Sequence, residues 1–145
     1  MREILFRGKR KDNGNWIEGS LLNFRENTYI IPHNSAHFYD DIETLALNVE
    51  SFEVLPETLG EYTGLTDMNG KKIFEGDIIQ EEYGSRNQKN IKKFEVYWDR
   101  EYAGFYPIYD HEHPAGYSVE AQYSEVIGNI HDNPELLKGE ICTKS

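Results

Sequence analysis

Tight turns between short apolar runs constrain the fold of this chain more than any other feature. Asp12, Asn13 and Gly14 separate the runs ILFRGKR and WIEGSLLNF, and the pair Asn69-Gly70 precedes IFEGDIIQEEY. Turns of this composition between alternating apolar residues are typical of β-hairpins. The pattern predicts about eight or nine strands and one short helix, so mainly β is the expected fold class.

A break near residues 56–62 predicts two parts. Residues 1–58 are expected to form an N-terminal antiparallel β-meander subdomain. It would pack on a small SH3-like or split β-barrel over residues 59–139, with residues 140–145 as a tail. Pro134 at a first helical position predicts that the barrel part ends in a short helix.

The middle of the chain carries more specific expectations. Residues 73–83 are predicted to form one strand with Gly76 at a bulge, because a glycine inside a strand usually marks such a site. Residues 84–93 are predicted to be a long basic hairpin loop, and residues 93–99 a strand. Alternation places three apolar side chains of that strand on the core face: Phe94, Val96 and Trp98.

Cysteine usage and hydropathy indicate the compartment. A single cysteine, Cys142, excludes a disulfide framework and any paired-cysteine metal or redox motif. No apolar run approaches the roughly 20 residues that span a bilayer, and the N-terminus lacks the apolar stretch of a signal peptide. We therefore expect a cytoplasmic protein with no membrane contact.

Three segments together resemble the YopX family of phage and prophage proteins. They are EILFRGKRKDNGNWIEG, YTGLTDMNGKKIFEGDII and SEVIGNIHDNPELL, in the order in which the family carries them. The resemblance implies a β-rich fold with a barrel-like C-terminal part, carried by bacteriophages or prophages in a bacterial host. It implies no reaction and no catalytic residues, so we expect neither an enzyme nor a cofactor.

Acidic residues in the middle segment admit two interpretations. Asp67, Glu75 and Asp77 could form a carboxylate or metal site, because Glu75 and Asp77 would share one strand face. We favour a structural role, in which Asp67 supports the turn at Asn69-Gly70 and Asp77 accepts backbone N–H groups beside the bulge at Gly76. A structural signature of five residues follows from this interpretation: Asp67, Asn69, Gly70, Gly76 and Asp77.

Histidines offer two weaker metal hypotheses. His33 and His37 have the i, i+4 spacing of ligands on a helix, and His111 and His113 alternate in DHEHP. Neither pair has the flanking pattern of a known metal motif. We therefore expect solvated segments and no bound metal.

Two binding functions stay open. The basic segment contains no acid in a chain of net charge −11, and it lies close in sequence to several aromatic residues. In a small barrel this combination could bind single-stranded nucleic acid, and the candidate contacts are Arg86, Lys89, Lys92, Lys93 and Tyr97. We favour protein interaction instead, because exposed tyrosines and unpaired strand edges suit contacts with a host or phage protein, or self-assembly into a homo-oligomer.

Overall fold

Antiparallel strands make up most of the structure, a computed structural model that describes residues 2–33, 50–109 and 118–138. The chain divides into a first unit, Met1–Tyr62, and a second unit, Thr63–Ser145. The mainly β fold class predicted from the sequence is confirmed. Closure of the second unit into an SH3-like barrel stays a prediction.

The first unit contains the predicted antiparallel meander. Its strands are β1 Phe6–Lys9, β2 Trp16–Phe24, β3 Asn27–Ile31, β4 Phe52–Glu53 and the start of β5 Gly60–Thr66. They pair in the order β4-β3-β2-β1-β5. Leu5, Ile30 and Val54 are buried here, and Gly14 has a φ of 73° at the predicted turn between β1 and β2.

The second unit continues from β5 with further antiparallel strands. They are β6 Lys72–Phe74, β7 Asp77–Ser85, β8 Gln88–Glu95, β9 Tyr97–Asp99, β10 Gly104–Tyr106 and β11 Ser124–Asn129. β7 is the central strand of the sheet β11-β7-β8, and β9 pairs with β10. The predicted short C-terminal helix corresponds to a 3₁₀ turn of four residues, Pro134–Leu137.

A cluster of buried apolar side chains holds the second unit together. Ile79 lies opposite Phe94 on one neighbouring strand and opposite Val126 on the other. Burying side chains of this size stabilises a fold by about 1.5–3 kcal/mol each. The cluster comprises Ile73, Ile79, Phe94, Val96, Phe105, Ile108, Val119 and Val126.

Gly76 lies in a tight turn, so the prediction of one strand over residues 73–83 is wrong. β6 ends at Phe74 and β7 begins at Asp77. Gly76 has a φ of 93°, which glycine adopts without the steric cost of a side chain. The Asp77 carboxylate accepts the Phe74 N–H at 2.8 Å and closes the turn. Consequently Glu75 lies in the turn and shares no strand face with Asp77.

The prediction of a long basic loop over residues 84–93 is also wrong. β7 and β8 pair without interruption as far as Ser85 opposite Gln88, which leaves Arg86 and Asn87 as a two-residue hairpin turn. A Cβ at Gly84 would collide with the Gln88 carbonyl oxygen, so glycine permits close pairing here rather than marking a loop.

Trp98 departs from the predicted alternation. Phe94 and Val96 are fully buried as expected, whereas Trp98 is 42% exposed. The strand is interrupted at Val96, whose N–H donates to the Asp77 carbonyl and whose carbonyl accepts the Gly76 N–H, both at 2.8 Å. β9 therefore starts afresh, and Trp98 does not continue the core face.

Candidate functional site

In the second unit, β7 and β8 continue as a pair beyond the end of β11, the third strand of their sheet. β11 stops pairing with β7 at Ser124 opposite Glu81, whereas the β7–β8 ladder continues to the hairpin turn. All residues from Glu82 to Ile91 are exposed. We call residues 82–91 the ribbon. A two-stranded hairpin is marginally stable by itself in water, so the ribbon owes its order to the three-stranded sheet from which it extends.

Large apolar side chains lie on both faces of the ribbon. Tyr83 is four residues from Ile79 and shares its face, and it is 44% exposed. Ile91 lies opposite Glu82 on the other face and is 51% exposed. The Lys92 ammonium lies 4.7 Å from the centre of the Tyr83 ring, within cation–π range. Neither face of the ribbon is purely polar.

The predicted basic contacts do not form one patch. Arg86 occupies the hairpin turn, whereas Lys89, Lys92 and Lys93 lie on β8. Successive strand residues point to opposite faces, so Lys92 and Lys93 are directed apart. Tyr97 lies on β9, beyond the break at Val96. The structure thus distributes these five side chains over a turn, two strand faces and a second strand.

Acidic side chains accompany the basic ones along the ladder. Glu81 lies opposite Lys92, and Glu82 Oε2 lies 3.8 Å from Lys89 Nζ in a largely exposed ion pair. Burial raises the pKa of Glu81, an effect that Lys92 opposes and Glu120 reinforces. These carboxylates reduce the positive potential that the basic residues would otherwise present to a polyanion.

The aromatic residues after β8 pair with one another. Tyr97 stacks on Tyr106 with 4.9 Å between ring centres, and Trp98 meets Phe105 edge-on at 5.0 Å. Burial raises the pKa of Tyr97, and the charges of Asp99 and Glu95 add to that effect. Tyr97 is therefore half-buried against a neighbouring ring, whereas Trp98 keeps an exposed face.

Asp67 organises the turn of the middle segment and reaches a distant strand. Its Oδ1 accepts the N–H groups of Asn69 and Lys71, both at 2.9 Å. Its Oδ2 accepts the Val126 N–H of β11, also at 2.9 Å. Gly70 has the positive φ of 79° that the turn requires. Burial disfavours the charge on Asp67, but these N–H groups and nearby Lys71 hold its pKa below the ordinary value.

The two buried carboxylates of the middle segment therefore act as acceptors for backbone N–H groups. Asp67 and Asp77 are both buried, and each accepts main-chain N–H groups. The N–H groups that Asp67 accepts stabilise its charged form, so this carboxylate is a poor proton carrier near neutral pH. Their geometry suits the structural role that the sequence favoured over a carboxylate reaction site.

A groove of about 440 Å³ lies elsewhere in the second unit. At one wall the Tyr109 hydroxyl donates to Asp99 Oδ2 at 2.5 Å. Burial raises the pKa of Tyr109, and its bond to Asp99 adds to that effect. The hydroxyl is thus a fixed hydrogen-bond donor and not an acid. The lining residues are Gly64, Leu65, Thr66, Ile108, Tyr109, Ser118, Val119, Glu120, Ala121 and Gln122.

The metal hypotheses fall mainly on residues that the structure does not describe. His37, His111 and His113 lie outside the described residues, as does Cys142. His33 is described, and its Nε2 lies 3.1 Å from Ser20 Oγ. Within residues 2–33, 50–109 and 118–138, no three histidine, cysteine or acidic side chains form a group that could hold a metal ion.

Tyr83 and Ile91 were not singled out by sequence reasoning. Gly84, Asn87 and Asn90 gave the segment the composition of a loop. The turn itself gave no strong signal, because Arg86-Asn87 lacks the glycine that two-residue hairpin turns favour. Since the ribbon is exposed on both faces, it lacks the apolar alternation from which strands are usually recognised.

The fold and site define an all-β protein in which a two-stranded ribbon extends from an antiparallel sheet. The chain belongs to the YopX family, whose description is "YopX protein" and which matches residues 5–138. It is also similar in fold to the crystal structure of protein EF1440 from Enterococcus faecalis. That similarity has a TM-score of 0.54 and 21% identity, and it covers 95% of this chain and 100% of the other.

No curated protein matched the chain. Across the described residues, none of the helical segments has the length and hydropathy needed to cross a membrane.

Proposed function

We propose that this chain is a non-enzymatic protein-interaction module of a phage or prophage, acting in the cytoplasm of the bacterial host. The observation that carries the proposal is the ribbon, whose residues are exposed on both faces and include Tyr83 and Ile91. Membership of the YopX family supports the phage or prophage origin. The partner is a host or phage protein, or a second copy of the chain.

The chemistry of the ribbon suits a protein partner. Tyrosine supplies a large amphipathic contact at low entropic cost and is enriched where proteins meet. Tyr83 and Ile91 expose apolar area on opposite faces, so a partner that contacts both faces of the ribbon would bury both side chains. Unpaired strand backbone adds hydrogen-bonding groups that a protein can satisfy.

A double variant tests this proposal. Tyr83→Ser with Ile91→Thr removes both apolar anchors and keeps the β7–β8 backbone unchanged. We expect the tagged variant to lose most of the host or phage protein that the wild type retains, because anchors of this kind dominate interface energetics. The measurement is quantitative mass spectrometry of proteins captured under infection or prophage induction, alongside the sedimentation mass of the purified chain.

The matched control is Tyr123→Ser with Ile4→Thr. These residues are of the same types and are exposed to 63% and 64%, but they lie outside the ribbon. Equal loss of partner from both double variants would show that general surface hydrophobicity drives capture. Full retention by the Tyr83 and Ile91 variant, with unchanged mass in solution, would refute the role of the ribbon.

Nucleic-acid binding is the second candidate. The observation in its favour is the pair Arg86 and Lys89, which gives the ribbon two basic residues against one acid, Glu82, in a chain of net charge −11. Stacking bases would need exposed aromatic faces beside these charges. Trp98 offers such a face but lies on β9 and not on the ribbon.

A further inference from the structure

The outer edge of β8 is defined by the direction of its backbone groups. In an antiparallel ladder, alternate residues direct their N–H and C=O groups toward the neighbouring strand and away from it. Val96 donates to the Asp77 carbonyl, and the β7–β8 register continues unbroken from there. Residues an even number of positions from Val96 therefore bond to β7. The intervening residues Lys89, Ile91 and Lys93 direct their backbone groups outward.

Among the described residues, no strand pairs with this outer edge. β8 is the last strand of the sheet β11-β7-β8. Among the backbone hydrogen bonds of the described residues, none outside the β7–β8 ladder involves Lys89, Ile91 or Lys93. Lys89 and Ile91 are exposed, and Lys93 is partly exposed. Open strand edges of this kind accept an additional strand in many peptide-binding domains.

The side chains along the edge have a regular chemistry. Lys89, Ile91 and Lys93 are two residues apart, so they project from the same face in the order basic, apolar, basic. Across an antiparallel pair, directly opposed residues approach closely, and opposite charges stabilise the pairing whereas like charges oppose it. The complementary strand therefore carries an acid, an apolar residue and an acid at alternate positions.

We propose that the outer edge of β8 binds an extended acidic segment of another protein by strand addition. This inference deepens the proposed function and rests on it, because it names the chemistry of the partner. Lys89 and Lys93 would each face a carboxylate, and Ile91 would face an apolar side chain. The Lys89–Glu82 ion pair is long at 3.8 Å and exposed, so an incoming acid can replace Glu82 at little cost.

A second copy of the chain is a poor occupant of this edge. Antiparallel self-pairing that brings the two Ile91 side chains together also places Lys89 of each copy opposite Lys93 of the other. Lysines on an exposed strand edge are a common means by which proteins avoid edge-to-edge association. The same residues that repel a second copy attract an acidic strand.

The test uses two labelled peptides and the full-length chain. One peptide carries the pattern Glu-Thr-Val-Thr-Glu and the other Lys-Thr-Val-Thr-Lys, and fluorescence anisotropy gives each Kd. We expect the wild type to prefer the acidic peptide. Ile91→Pro removes one outward N–H without removing a bond to β7, and the loss of that hydrogen bond to the peptide should raise the Kd by about tenfold. Ile91→Val, which keeps the N–H, should bind like the wild type.

Charge reversal provides an independent variant. Lys89→Glu with Lys93→Glu should invert the preference, so that the lysine peptide binds about tenfold more tightly than the acidic one. Amide NMR spectra of each variant establish that β7 and β8 still pair. Unchanged affinity in Ile91→Pro, no preference between the peptides, or no binding by the wild type would overturn the inference.

Further outcomes separate this inference from the proposed function. If the chain captures a partner through Tyr83 but binds neither peptide, strand addition is refuted and the interaction module stands. If Lys89 and Lys93 instead support salt-dependent binding of an oligonucleotide, both strand addition and the protein-interaction module are refuted. A wild-type dimer that Ile91→Pro abolishes and Ile91→Val keeps would replace the acidic partner with a second copy.

Discussion

At the residue scale, Asp67 shows how one carboxylate can serve two regions of a chain. Its two oxygens accept three main-chain N–H groups, two from its own turn and one from Val126. Hydrogen bonds to a charged acceptor are stronger than neutral ones, and a buried N–H that loses its acceptor carries the full cost of desolvation. Asp67 therefore stabilises its own turn and also links that turn to β11.

Asp67→Asn should destabilise the chain by about 1–3 kcal/mol at neutral pH. Asparagine has one acceptor oxygen where aspartate has two, so one of the N–H groups bound by Asp67 would face an NH2 group that cannot accept it. Since the folded-state pKa of Asp67 is lowered, its contribution is complete above the unfolded value and is lost as pH falls through the folded value. The difference between wild type and variant should therefore be constant above about pH 5 and shrink in acid. Urea unfolding as a function of pH measures it.

Asp12→Asn is the matched control. The pKa of Asp12 is also lowered, chiefly by its hydrogen bond with Arg10, but Asp12 is exposed in a turn. Its replacement should leave the unfolding midpoint almost unchanged. If both asparagine variants lost equal stability, or if the Asp67 difference grew in acid, the role assigned to the buried carboxylate would be wrong.

At the scale of the element, β8 changes environment along its length. Near Phe94 it is part of a three-stranded sheet, and toward Gln88 it is one half of the exposed ribbon. The strand has one bonded edge and one outer edge throughout the ribbon. Its adjacent amides therefore alternate between a protein acceptor and water, which is a property of single edges and not of central strands.

Amide hydrogen exchange should reveal this alternation. We expect the N–H groups of Asn90 and Lys92, which donate to β7, to exchange about tenfold or more slowly than those of Ile91 and Lys93. Two-dimensional NMR after transfer to deuterated water resolves each amide. Uniform exchange along β8 would contradict the register from which the outer edge is inferred.

The central strand supplies the internal reference. Ile79 and Gln80 are neighbours on β7, which is bonded to β8 on one side and β11 on the other. Both amides should be protected, because each has a strand partner. Alternation on β7 of the same size as on β8 would point to fraying of the whole sheet and not to an open edge.

Sequence patterns predicted the elements whose determinants are local. The meander and the turn at Asn69-Gly70 were predictable from hairpin chemistry, as was the support that Asp67 gives to that turn. The ribbon was not, because Gly84 and Asn87 are typical of loops and its exposed strands lack the apolar alternation that marks a core face. The break at Val96 also depends on bonds to a distant turn, which no local pattern contains. The candidate site, the ribbon, is therefore a part of the fold that sequence patterns did not predict.

At the scale of the whole molecule, net charge favours a protein partner over nucleic acid. The chain carries 26 acidic and 15 basic residues, for a net charge of −11. A field of this sign repels phosphate groups at low salt, where electrostatic binding would otherwise be strongest. The basic residues of β8 lie among acids of β7, so they can pair with single carboxylates at close range but do not offset that field for a chain of phosphates.

We therefore expect no salt-sensitive mobility shift of single-stranded oligonucleotides in the presence of the purified chain. The measurement is a gel-shift titration at two salt concentrations, with the Arg86→Glu and Lys92→Glu double variant as the comparison. A shift that disappears with added salt and in this variant would favour the nucleic-acid interpretation. Fluorescence anisotropy with the same oligonucleotides provides a second readout.

The hydrogen bond between Asp67 and Val126 also has a consequence for biosynthesis. A ribosome releases the turn at Asp67 well before it releases Val126, which lies 59 residues further along the chain. During that interval Oδ1 can already hold the turn, whereas Oδ2 has only water as a donor. A nascent chain that stops short of β11 therefore exposes a hydrated carboxylate where the finished protein has a buried one.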